Sequence, residues 1–315
     1  MHLTWTKVAI SIGLLLGSAA SAQIPDELRM HLRRSRVEQA YDLLLPMLEA
    51  SPDDPELHAV YGSLMAQAGR HADAATAFVF GDGTQWYARS GMRQHASSLS
   101  AMGLIEEAIQ VRALSRLNPR RDESSDIITF AAMVDDYRRA RRWEDGQEAL
   151  DELFSLSDGP KAWCAAVWFY TDQGRWDEAF WAAWHASQVS DPLECRLARA
   201  NLYLQMGDLD GAEAILQESK KHRIRHLVMG SLLAELERLR GDPAEAVRII
   251  RLRRYSDTMH IDLRAAEVRA LIDLQEYDEA KDVLDQIRSY HLAPQYQDLV
   301  GALAAAQAAA GLSDQ

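Results

Sequence analysis

The sequence predicts an all-α fold, an elongated solenoid of about eight helical hairpins with a closing C-terminal helix. Three observations predict it: a Gly-x-x-x-x-Ala spacing that recurs along the chain, apolar positions at helical spacing around each recurrence, and prolines near the unit boundaries. At 315 residues and 48% hydrophobic content, the chain is long enough to bury a substantial core.

Residues 1–22 precede the repeat and read as a removable secretory signal. Lys7 is followed by an apolar run from Val8 to Leu16 and then by small residues through Ala22, after which cleavage is expected. The run is too short for a comfortable membrane helix, and no later run reaches membrane-spanning length. No cysteine follows the cleavage site, so lipid anchoring is not expected.

The full spacing occurs at Gly69/Ala74, Gly103/Ala108, Gly174/Ala179, Gly207/Ala212 and Gly241/Ala246. Ser35/Ala40 and Gln275/Ala280 lack the glycine, and Arg141/Gly146 replaces both residues. The eight second positions (40, 74, 108, 146, 179, 212, 246, 280) are separated by 34, 34, 38, 33, 33, 34 and 34 residues. A glycine just past a helix end accepts the left-handed conformation that turns the chain. An alanine early in the next helix lets two backbones approach. Twelve residues before the marker stands a small or compact residue such as Gly62, Ala96 or Val167, and four after it an apolar one such as Leu44, Phe78 or Leu216. Pro52, Pro119 and Pro192 lie where helices should stop. The excess in the fourth unit is placed in the polar stretch Asn118 to Asp126.

On these residues the chain resembles the tetratricopeptide repeat (TPR) family. Trp163, Tyr170, Gly174, Ala179, Ala186 and Pro192 carry the likeness in the fifth unit, and Gly62, Gly69, Ala74 and Phe78 in the second. The resemblance implies a right-handed superhelix over residues 23–293, with 294–315 as capping helix and tail. It also implies a binding function, in which the first helix of each pair lines a concave groove for protein partners. The Lys, Asn and Arg set that clamps a chaperone C-terminus in this family is not matched, since Ala59 and Ser63 stand at two of its positions.

Catalytic signatures are absent: the chain has no HExxH, GxSxG, GxGxxG or P-loop, and no cofactor or metal site is expected. Asp135 and Asp136 are adjacent on a helix and point apart; with Arg138 and Arg139 they read as a solvated face. The formal charge of −13 becomes −14 once Lys7 leaves with the signal, which argues against nucleic acid. Cys164 and Cys195 are too few for a disulfide framework, but in an oxidising compartment they could pair.

Sibling units supply an internal control for exposure. Where the others carry mostly polar residues, the fifth carries Trp168, Trp181 and Trp184, which marks these as candidate partner contacts. Trp184 fits core filling equally well, because Ala183 leaves volume at a core position. Trp163, Trp176 and Trp143 occupy packing positions. The second candidate is basic: from Lys220 to Arg254 ten basic residues face four acids, a local +6 that includes Arg238, Arg248 and Arg251. This zone could meet an acidic partner or an acidic polysaccharide. The expectation is an extracytoplasmic adaptor, periplasmic or secreted, that joins proteins of a cell-envelope assembly or secretion machine. The alternative is a glycan-binding protein of polysaccharide export.

Overall fold

The computed structural model describes residues 24–117, 123–190, 192–220, 227–253 and 261–311. The signal-like stretch 1–22 lies outside them, as do Lys221, Arg223, Arg225 and Arg254 of the basic zone.

The described residues form eight helical hairpins and a closing helix, with no strand among them. The hairpins are α1 (Asp26–Arg33) with α2 (Val37–Ala50), α3 (Pro55–Gln67) with α4 (His71–Phe80), and α5 (Met92–Ala101) with α6 (Ile105–Ser115). Next come α7 (Glu123–Arg139) with α8 (Trp143–Leu156), α9 (Pro160–Asp172) with α10 (Trp176–Val189), and α11 (Leu193–Met206) with α12 (Leu209–Lys220). Then follow α13 (Leu227–Leu239) with α14 (Pro243–Arg253) and α15 (Ile261–Asp273) with α16 (Tyr277–Gln286), before α17 (Pro294–Ala309) closes the array. From α7 onward successive first helices pack side by side, α7 on α9, α9 on α11, α11 on α13 and α13 on α15, and make an inner wall. Each second helix packs against its partner and against the first helix of the next unit, forming the outer layer.

The turns explain why the period survives loss of its glycine. In all eight units the residue after the turn position donates its N–H to the carbonyl five residues back, as in Arg70 to Met65 (2.9 Å), Arg142 to Tyr137 (2.9 Å) and Glu276 to Leu271 (2.9 Å). That bond closes the first helix only if the residue between is left-handed. The glycines comply, with φ from 69° at Gly174 to 88° at Gly241, and so do Ser35 (50°), Arg141 (56°) and Gln275 (63°). A side chain in this region is strained by a Cβ contact with the following carbonyl. Gln275 is exposed, so Gln275→Gly is expected to raise stability by about 0.5–1 kcal/mol after glycine's larger unfolded-state entropy is subtracted. A higher urea midpoint is the readout, and a lower one would refute the strain argument.

Every marker alanine is fully buried, and Gly146 has a specific cause for departing from alanine. A Cβ at Gly146 would lie 2.5 Å from Cε2 of Phe169, a large residue of the next first helix. The apolar core comes in blocks. Units one and two share one cluster, units four and five a second, and units six to eight a third. Unit three contributes only to a small cluster, in which its Leu99 and Ala108 join Ala75 of unit two. Buried polar groups take over there. His95 is 7% exposed, and burial pushes its pKa down to about 4, so it is neutral near pH 7. Its Nδ1 shares a hydrogen bond of 2.9 Å with the Tyr87 hydroxyl. Asp136 accepts from Arg112 Nε at 2.7 Å and from the Ser100 hydroxyl at 2.8 Å.

The superhelix also turns back on itself. Tyr290, which is 2% exposed, donates its hydroxyl to the carbonyl of Ala101 and covers Gly103, where a Cβ would meet its ring. Arg141 pairs with Asp298 of α17, and Arg139 with Asp262 of α15 at 3.5 Å. The C-terminal end is thereby held against units three and four.

Candidate functional site

The inner wall opens into a cleft of about 650 Å³ between α7 and α9, capped by the start of α11. Ile127, Ile128 and Ala131 of α7 face Ala165 and Trp168 of α9 across it, with Pro192 at the α11 end. Asp135 and Arg138 add charged groups to this mainly apolar lining. A cleft of this size admits a short peptide segment or a few apolar side chains.

Its wall is fastened by a motif that occurs twice. Arg138 bonds Asp135 one turn earlier at 2.6 Å and also Asp172 of the next first helix. Arg238 repeats this with Glu235 (2.9 Å) on its own helix and Asp273 (2.8 Å) on the next. In both units the arginine stands eight residues before the marker, its own-helix acid eleven before, and the acid of the next unit seven before that unit's marker. The same reading that aligned the markers could have found these acids. Asp135 also accepts from Arg139 at 2.8 Å. Burial alone would raise the Asp135 pKa, but the guanidiniums of Arg139 and Arg138 hold its carboxyl well below the usual range.

The candidate contacts therefore sort by geometry. Arg138, Arg139 and Arg238 tie inner helices together. Arg248 pairs with Glu245 at 2.5 Å, and Arg251 with Glu279 of the following unit. Arg240 pairs with Glu213 at 2.6 Å, so Arg238, Arg240, Arg248 and Arg251 of the basic zone are each matched by a carboxylate. Cys164 and Cys195 form a disulfide with their Cα atoms 4.8 Å apart, joining α9 to α11 beside the cleft.

The tryptophans do not share one platform. Trp168 is half-buried in the cleft, with the Arg138 guanidinium 5.5 Å from its ring centre. Trp163, five residues earlier and about 140° around the same helix, is 8% exposed and faces the outer layer. There it meets Trp181 edge-on at 5.0 Å and stacks on His185 at 4.6 Å. Trp181 and Trp184 are 56% and 57% exposed. The volume at Ala183 is not filled by Trp184; instead Ala179, Ala182, Ala183 and Ala186 bring α10 close to its neighbours. Trp176 departs from its expected packing role and is 39% exposed. As the first residue of α10 it lies over the turn beside Gly174, where little else can cover it.

No protein-family model matches the chain, and no curated protein matches it. Among solved structures it is similar to a tetratricopeptide repeat protein from Parabacteroides merdae ATCC 43184, with 12% identity over 78% of this chain and 96% of that one and a TM-score of 0.57. It is also similar to a chain of the APC/C hetero-tetramer Cut9-Hcn1, with 18% identity, 89% and 54% coverage and a TM-score of 0.56. The chain spans about half the length of that second structure. At these identities the likeness establishes a TPR-like superhelical fold. Among the described residues, no helix is long and apolar enough to cross a membrane, and no group of side chains has metal-ligand geometry.

Proposed function

We propose that the chain is a TPR-like adaptor that works outside the cytoplasm, holding proteins of a cell-envelope assembly or secretion machine together. The observation that carries this reading is the apolar cleft on the inner wall, where a repeat scaffold presents its continuous surface. Trp168 offers an anchor of low entropy cost within it. Location is supported by the signal-like residues 1–22 and by the Cys164–Cys195 disulfide, a bond that persists in oxidising compartments. The partner contributes a short segment with apolar side chains, and the fixed Arg138–Asp135 pair supplies polar contacts at the edge.

Crosslinking in intact cells followed by affinity purification tests this reading. The wild-type chain is expected to recover one or a few envelope proteins. Ala165→Arg, which fills the cleft from a partly buried position on its wall, is expected to reduce that recovery about tenfold or more at unchanged circular dichroism. Recovery of no defined partner, or equal recovery by the variant, would overturn the assignment.

A further inference from the structure

We infer that the outer face of units four and five is a second docking surface, one that takes a basic, apolar-anchored segment of a protein partner. Its centre is the aromatic strip that crosses from α8 to α10. Phe154 meets Trp163 at 4.6 Å, Trp163 meets Trp181 and His185, and Trp184 stands edge-on to His185 at 4.7 Å. Trp181 and Trp184 each leave more than half of their surface to solvent. Exposed indoles on a rigid helix are typical binding anchors, because they bury much area with few rotatable bonds.

Charge selects the occupant. Helices α8 and α10 contain seven carboxylates and no lysine or arginine. Asp145 and Glu178 are paired with the arginines that precede each helix, Arg142 and Arg175. The exposed Glu144, Glu148, Glu152 and Asp177 make no ion pair among the described residues. Asp151 lies three residues before Phe154 and Asp177 four before Trp181, so acids share the helix faces of the aromatic strip at both ends. Ammonium and guanidinium groups would meet carboxylates at the edges and indole faces in the middle, where cation–π attraction adds to apolar burial. An acidic polysaccharide or an anionic lipid surface would be repelled. A second copy of this chain docking the same face across a two-fold axis would set like charges together.

Fluorescence anisotropy with two synthetic probes tests the inference: a Lys/Leu amphipathic peptide and its Glu/Leu counterpart. The Lys peptide is expected to bind the full chain, weakening as salt rises, and the Glu peptide not to bind. Trp181→Ala with Trp184→Ala is expected to weaken binding about tenfold or more, and Trp181→Phe with Trp184→Phe to restore part of it. Glu148→Gln with Asp151→Asn should weaken binding and flatten its salt dependence. Asp278→Asn with Asp282→Asn on α16 should change it less than twofold, to within about measurement error. An unchanged affinity in the alanine pair, an equal loss in the α16 pair, or equal binding of both peptides would overturn the proposal. So would self-association of the chain that the alanine pair abolishes. Ala165→Arg in the inner cleft is expected to leave peptide binding intact, which separates this surface from the first.

Discussion

Replacing Asp136 with alanine is expected to destabilise the protein by about 3–5 kcal/mol, the cost of leaving a buried partner charge unpaired. Arg112 and Asp136 are 5% and 1% exposed, and their side chains meet at 2.7 Å between α6 and α7. Both occupy core positions of the repeat. Arg112 stands four residues after its marker, where siblings carry Leu44, Phe78, Leu150, Leu216, Ile250 and Leu284. Asp136 stands ten before its marker, where siblings include Leu64, Phe169, Leu202 and Leu236. One ion pair thus replaces an apolar contact at the unit whose hydrophobic cluster is smallest, with little nearby burial to absorb its loss. The matched change Arg112→Leu with Asp136→Leu is expected to return stability close to the wild-type value, since a buried pair and a well-packed apolar pair often differ little. Urea denaturation followed by circular dichroism reads both variants. A cost below about 1 kcal/mol for Asp136→Ala would show that water reaches Arg112 and relieves it.

The second large effect concerns the disulfide. Cys164→Ala with Cys195→Ala is expected to cost about 3–4 kcal/mol, the loop-closure entropy returned to an unfolded chain for a bond spanning 31 residues. Alanine suits these sites better than serine, since both are buried and a new hydroxyl would need a partner. The bond joins neighbouring inner helices at the cleft, so the loss should concentrate at the junction of units five and six. A reducing agent should reproduce the effect in the wild type and leave the variant unchanged. Alkylation of both thiols in the native, unreduced protein, or identical denaturation midpoints, would contradict the assignment.

Much of the fold was legible because it rests on local chemistry. The turn positions could be read even at Ser35, Arg141 and Gln275, since a backbone hydrogen-bond pattern imposes the left-handed residue whatever its side chain. The marker alanines were legible as contact points for the same reason. The exposure of Trp181 was legible by comparison with sibling units; that of Trp184 was not, because the volume left at Ala183 fitted core filling equally well, nor that of Trp176, because burial at a helix start depends on how the adjoining turn covers it. The Arg112–Asp136 pair was within reach of the sequence, as two charges in apolar register one unit apart. The arginines Arg138 and Arg238 were visible as charge, but their acid partners lie on the next helix, where the pairing depends on how far each unit is rotated from the last.

By itself the sequence determined the number of hairpins, where each one turns and which small residues let them meet. These follow from backbone conformation and from a period that repeats within some 34 residues. The tertiary structure alone decided that the inner arginines would be spent on their neighbours and that Tyr290 would reach Ala101. Those outcomes depend on small rotations between units added over much of the superhelix, a sum that no single repeat encodes.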